Sequence, residues 1–400
     1  MKKVAIIGMG ISRNTLTLEA ADVIKNAEIL AGAPRMLEMA ADLYKDDAKR
    51  VYPYYLPKDI YNMIENEKAE KFAILVSGDV GFYSAATGLA EILTTYDIRF
   101  IPGISTVNAF FAKLGLPWQD AAFVSTHGRE TDIVGYVRRN RLTFCLTGNN
   151  VNKIGMDLTC VGFGNVKTYV GENLGTEQEY VYTTSAEDLM CSQFPSMTVL
   201  LFQNDEFDDR TPFGLPDSSF TRLAGIPMTK SEIRAVVMSK LNLRPADICW
   251  DIGAGTGSVT VEMALAAYHG YVYAVERRED AIPLINQNRA AFHIGNVTAV
   301  CGNAPDILDT LPVPDVVFIG GSGGEIDSII SVVLLKNPNA RIVITAVTIE
   351  TVPIAMSALI KAGLEPEIVQ INAARSKQAG GFHLMEAQNP VNILCAGGVR

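Results

Sequence analysis

The stretch Asp251-Ile-Gly-Ala-Gly-Thr-Gly257 constrains what this chain can fold into more than any other. It follows an apolar run, Ile248-Cys249-Trp250, that reads as a buried strand, and it opens Ser258-Val-Thr-Val-Glu-Met-Ala-Leu265, which reads as a helix. Alternating glycines let the backbone turn tightly and approach a ligand closely, which any Cβ would hinder. A nucleotide-like cofactor is the natural guest of such a loop. A dinucleotide fingerprint needs a glycine three residues after Gly255, but position 258 is Ser; the spacing is G-x-G-x-G, with an acid two residues before the first glycine.

A chain of 400 residues is too long for one ordinary domain, and two domains are expected. Hydrophobic residues make up 48% and charged residues 20%, with no apolar run approaching the ~20 residues that span a bilayer, so no membrane partner is expected. The start, Met1-Lys-Lys-Val-Ala-Ile-Ile-Gly8, runs into a glycine turn without a signal-type cleavage site, which reads as a first strand in a cytoplasmic protein. Six cysteines at 145, 160, 191, 249, 301 and 395 stand singly, mostly inside apolar runs, and read as buried free thiols. Histidines 127, 269, 293 and 383 form no metal-ligand spacing, so no dedicated metal site is expected. A net charge of −10 argues against a nucleic-acid partner.

Residues 1 to about 205 alternate short apolar runs with helical patterns, an α/β architecture. The runs lie at Val4–Gly8, Phe72–Ser77, Arg99–Ile101, Ala122–Ser125, Leu142–Thr147, Val166–Gly171 and Met197–Gln203. Glycine turns fall at their carboxyl ends, where ligands bind in open α/β sheets. Those turns are Gly8-Met-Gly10, Ser77-Gly-Asp-Val-Gly81, Ile101-Pro-Gly-Ile-Ser-Thr106, Ser125-Thr-His-Gly-Arg129, Leu146-Thr-Gly148 and Gly171-Glu-Asn-Leu-Gly175. In this order they resemble the tetrapyrrole methyltransferases of the corrin and sirohaem pathways. The family usually has Gly-Asp-Pro where this chain has Gly78-Asp79-Val80, a variant associated with the cobalamin C5-methylating branch.

That resemblance implies a two-lobed domain holding S-adenosylmethionine (SAM) between the lobes. Gly8, Gly78, Asp79 and Val80 would approach its methionine end, with Ser105 and Thr106 beside them. From the residues alone, Asp79 is also a turn-forming side chain, and Ser105-Thr106 also reads as a helix N-cap.

Residues 208–218, acidic and broken by Pro and Gly, read as a linker between domains 1–207 and 219–400. The second domain begins with Pro227-Met-Thr-Lys230, in which Thr229-Lys-Ser-Glu232 has the spacing of a capping box. Here the G-x-G-x-G loop resembles the SAM loop of Rossmann-like methyltransferases, which implies a seven-stranded domain. Cofactor contacts are then implied for Asp251, Gly253, Ala254, Gly255, Thr256 and Gly257, for Glu276 at the end of Tyr271-Val-Tyr-Ala-Val-Glu276, and for Asn303 and Ala304. Thr229 matches a threonine beside SAM in the C15-methylating, decarboxylating enzymes of cobalamin synthesis. Amino-group methyltransferases carry Asn/Asp-Pro-Pro-aromatic where this chain has Ile319-Gly-Gly-Ser-Gly323, so methylation of a nucleobase amine is disfavoured. Arg375, Lys377 and His383 read as a loop before the last strand; the two cations would meet carboxylates of an acidic substrate or simply be solvated.

The two halves in this order resemble the fused precorrin C5,15-methyltransferases (decarboxylating) of cobalamin synthesis. The resemblance implies two SAM sites per chain, an acidic tetrapyrrole substrate with or without cobalt, and a homo-oligomer. The rivals are a bifunctional SAM enzyme acting on another macrocycle or on RNA, and a SAM-sensing module.

Overall fold

The computed structural model describes residues 2–44, 49–127 and 131–398. Gly128 and Arg129, the end of the fourth N-terminal turn, lie outside them.

The first lobe is a parallel sheet of β1 (Lys3–Gly8), β2 (Ile29–Gly32), β3 (Arg50–Tyr52), β4 (Lys71–Val76) and β5 (Asp97–Ile101) in the order β3-β2-β4-β1-β5. Helices cover both faces of such a sheet, so its central strands need apolar side chains on both sides. The runs Val4-Ala-Ile-Ile7 and Phe72-Ala-Ile-Leu-Val76 supply them, and every residue in them is buried. All five strands run parallel, so the carboxyl ends of β4, β1 and β5 share one edge.

The second lobe is a mixed sheet, β6-β7-β10-β8-β9, built from β6 (Ala122–Ser125), β7 (Leu142–Leu146), β8 (Lys167–Glu172), β9 (Tyr180–Ser185) and β10 (Thr198–Gln203). β6 pairs parallel to β7, while β10 runs antiparallel to both β7 and β8. Together these sheets give the expected two-lobed α/β unit. β2, β3 and β9 are additions to the strands read from sequence: β2 is an apolar run of only four residues that follows the helix Leu18–Asn26 almost directly, β3 has only three residues, and β9 is largely polar.

The C-terminal unit is the expected seven-stranded sheet, ordered β13-β12-β11-β14-β15-β19-β16. Its strands are β11 (Ile248–Ile252), β12 (Tyr271–Glu276), β13 (Val297–Cys301), β14 (Val316–Ile319), β15 (Arg341–Ala346), β16 (Glu367–Ile371) and β19 (Val391–Ala396), with β19 antiparallel to both its neighbours. The segment read as a loop before the last strand is instead a hairpin, β17 (Ala374–Ala379) and β18 (Phe382–Ala387).

Every apolar cluster among the described residues is drawn either from residues 4–202 or from residues 215–396. The two units touch through rings: Phe163 stacks on His293 at 4.5 Å between centroids, and Tyr136 lies 5.5 Å from His269. The cysteines are all free, but only Cys145, Cys249 and Cys395 are buried; Cys160, Cys191 and Cys301 are exposed, because each falls at an element end and outside a sheet interior.

Residues 208–218 are not one free tether. Asp208 donates its backbone N–H to the Arg138 carbonyl (2.8 Å), on the N-terminal unit. Gly214 and Leu215 donate theirs to the Glu262 carboxylate (2.8 and 2.9 Å), on the C-terminal unit. Asp217 is buried against Arg234.

Candidate active sites

In the C-terminal unit the glycine loop leaves β11 beneath a cavity of about 300 Å³. Gly253, Ala254 and Gly255 line it together with Asp251, Glu276, Asn303, Ala304 and Thr229. Gly255 has φ +55°, and a Cβ there would sit 2.7 Å from the Pro227 carbonyl oxygen, so the segment before Thr229 can close over the loop only because this residue is glycine. Arg278 holds that segment down, donating from Nη1 to the Gly225 carbonyl (2.5 Å).

Glu276 ends β12 and is 8% exposed. Its carboxylate accepts from the Gly255 N–H (2.9 Å) and the Arg278 N–H (3.0 Å), which fixes its orientation and leaves further lone pairs toward the cavity. Asp251 is fully buried, and burial pushes its carboxyl up to about 7, against the opposing hydrogen bond from the Thr260 hydroxyl. Its Oδ1 has no hydrogen-bond partner. A buried, unpaired acceptor on a cavity wall is costly unless a donor or a cation arrives there.

The N-terminal cleft is built by three turns at the shared carboxyl edge. Gly10 and Gly78 bridge in antiparallel fashion (3.0 and 3.1 Å), and Asp79 accepts from the Gly81 N–H (2.8 Å) and the Gly103 N–H (3.2 Å). A Cβ on Gly103 would fall 2.3 Å from the Gly78 carbonyl and 2.5 Å from that of Gly8, so the three turns close up only around a bare backbone. The cleft divides at Gly81, Phe82 and Phe123 into a chamber of about 400 Å³, lined by Asp79, Gly103 and Ser105, and one of about 910 Å³, lined by Ser77 and Thr106.

A family model described as tetrapyrrole (corrin/porphyrin) methylases matches residues 3–190, and one described as a precorrin methyltransferase domain matches residues 223–396. A precorrin-6Y C(5,15)-methyltransferase [decarboxylating] of Sinorhizobium sp is 30% identical over 380 residues, covering 93% of this chain and 91% of its own. The chain belongs to that family. A probable cobalt-precorrin-6B C(15)-methyltransferase (decarboxylating) of Pyrobaculum calidifontis is 42% identical over 185 residues, 46% of this chain and 95% of its own. A solved precorrin-6Y C5,15-methyltransferase structure from Geobacter metallireducens covers 46% of this chain and 96% of its own at 38% identity, with a TM-score of 0.44.

In this member of the C5,15-methyltransferase family several residues read from sequence sit elsewhere than expected. Thr229 does not cap the following helix, Ser231–Leu241, whose N-cap is Lys230. The Ser231 N–H is taken instead by Asp217 (3.0 Å), which tertiary folding delivers from the linker. Thr256 and Gly257 lie under the loop and off the cavity wall: Thr256 is 1% exposed and Gly257 is the helix N-cap. Gly8 and Val80 likewise support the turns from behind, Val80 packing on the first-lobe core. Ser105 caps Thr106–Leu114 through the Asn108 N–H (3.2 Å), so its capping and cleft-lining readings hold together. Gly78 faces open space, with nothing within 4 Å of where its Cβ would be.

Arg375 and Lys377 stand on β17 and line neither cleft. Arg375 is committed to Asp217 (2.8 Å) and Glu232 (2.5 Å), whose carboxyl it holds down at about 2, and Lys377 pairs with Glu386 (3.2 Å). Sequence reading missed Arg35, Phe82 and Tyr83 in the N-terminal cleft, and Ile226 and Arg277 in the C-terminal one. The cation pair Arg277-Arg278 directly after Glu276 was the one local signal for any of them.

Proposed function

We propose that this chain methylates a precorrin ring at two carbons, C5 in the N-terminal cleft and C15 in the C-terminal one, with loss of carbon dioxide from the C12 acetate. The full-length relation to a decarboxylating C5,15-methyltransferase carries this reading over one in which RNA or another macrocycle is the substrate. SAM, when bound, supplies an electrophilic methyl group on a sulfonium. In the C-terminal cleft the free lone pairs of Glu276 suit ribose hydroxyls, and the unpaired Oδ1 of Asp251 suits a cationic ligand, which would also draw that carboxyl back toward its ionised form. In the N-terminal cleft Asp79 fixes the turns, while Gly78 leaves backbone open to the cofactor. An electron-rich ring carbon is its own nucleophile, so the residues of both clefts act by orienting the ring and excluding water.

The reading places two SAM sites on two separate cores. In calorimetric titration the wild type takes up two equivalents of SAM, and Glu276→Ala weakens one of them by ~1.5–3 kcal/mol, the range for a hydrogen bond to a charged group. Two unchanged sites in the variant would remove Glu276 from cofactor binding. Turnover changes the visible spectrum of the macrocycle, and mass spectrometry shows two added methyl groups and one lost carbon dioxide; an unchanged macrocycle would end the reading. No described helix is long and apolar enough to cross a membrane, in keeping with a site of action in the cytoplasm. The hairpin β17–β18 exposes Phe382, Leu384 and Met385, the surface we assign to contact between copies in a homo-oligomer.

A further inference from the structure

We infer that Arg35 grips a substrate carboxylate in the larger N-terminal chamber and so sets which edge of the ring faces the methyl donor. This rests on the proposal that a carboxylate-bearing macrocycle is methylated there. Arg35 is the second residue of the short helix Pro34–Met39, three positions beyond the carboxyl end of β2, at the edge where the cleft forms. Its Nη2 donates to the Ser77 hydroxyl (3.0 Å), at the end of β4 immediately before Gly78. A guanidinium has five N–H donors in a planar fork, and this single bond aims the fork while leaving most of it free.

Among the described residues Arg35 makes no ion pair. Some exposed arginines of this chain do, Arg99 with Glu19 and Arg141 with Asp205, while among the described residues Arg222 and Arg277 do not. Arg35 also lines the chamber of about 910 Å³, whose other described walls are hydroxyls, aromatic rings, aliphatic side chains and His127, with no carboxylate and no second arginine or lysine. One uncompensated cation among described walls that are otherwise uncharged, on a protein of net charge −10, is a local attractor for an anion. The planar fork favours a carboxylate, which it binds through two parallel hydrogen bonds. Phe82 and Phe123, edge to face at 5.7 Å, form the opposite kind of wall, apolar and broad enough for a flat ring.

Full-length Arg35→Ala and Arg35→Lys enzymes test this with the precorrin substrate, the product positions being read by mass spectrometry and NMR. The alanine variant is expected to raise the macrocycle KM of the C5 step by roughly 10- to 100-fold, the loss of a charge-assisted hydrogen bond. The KM for SAM stays unchanged, the lysine variant lies between, and carbon dioxide release at the C-terminal site continues at the wild-type rate. A wild-type macrocycle KM in Arg35→Ala overturns the proposal, as does a parallel fall in both steps, which marks a merely structural residue. A wild-type enzyme that adds no N-terminal methyl overturns the underlying reading instead.

Discussion

Replacing Arg234 by Met is expected to destabilise the C-terminal unit by about 3–5 kcal/mol, the cost of breaking a buried ion pair by removing one partner. Arg234 and Glu262 are both fully buried, 2.8 Å apart, and Asp217 lies 3.0 Å from the same guanidinium. Arg234 also donates to the carbonyls of Leu215 and Thr229, so one side chain ties the end of the linker, the segment over the cofactor loop and the helix Ser258–Ala266 together. Without it, Glu262 keeps a buried charge satisfied only by the Gly214 and Leu215 N–H groups. The chain has two tryptophans, and Trp250 is fully buried in the C-terminal sheet, so its fluorescence in a Trp118→Phe background follows this unit during urea unfolding. A change under about 1 kcal/mol would show that the cluster relaxes without cost.

The same cluster decides where the chain can be divided. A break between Pro212 and Phe213 is expected to give two folded fragments, the N-terminal one adding only the C5 methyl and the C-terminal one releasing carbon dioxide and methylating C15. A break after Asp217 is expected to leave the C-terminal fragment unfolded. The difference is five residues. The first break leaves Asp208 with the Arg138 carbonyl and Gly214, Leu215 and Asp217 with their buried partners. The second strips Arg234 of one carboxylate and one carbonyl, and strips Glu262 of both its backbone donors, at positions where water cannot replace them. Circular dichroism and product mass spectrometry on separately expressed fragments give the result. Equal folding of C-terminal fragments starting at 213 and 218 would mean that the linker's end contributes nothing, and an insoluble fragment starting at 213 would mean that the two units share stability through the ring contacts at His293 and His269.

The sequence by itself determined the two α/β units, their order and the turns that carry both clefts. Those features are local: alternating glycines at 253, 255 and 257 permit the positive φ that each of them adopts, and apolar runs such as Phe72–Val76 need a sheet covered on both faces. Thr229 and Asp217 show where local reasoning stops. Thr229 has the spacing of a capping residue, and Asp217 the composition of a solvated linker; folding reverses the two roles, because Arg234 on the helix draws Asp217 inward and its carboxylate reaches the Ser231 N–H first. The hairpin residues Arg375 and Lys377 were legible only as cations, since their own strand, Ala-Arg-Ser-Lys-Gln-Ala, has no apolar alternation and the apolar side chains of the ribbon lie on its partner strand. Cleft walls were least legible of all. Arg35 beside Ser77, and Pro227 over Gly255, come from segments 42 and 28 positions apart, and sheet order and loop closure alone bring such pairs together.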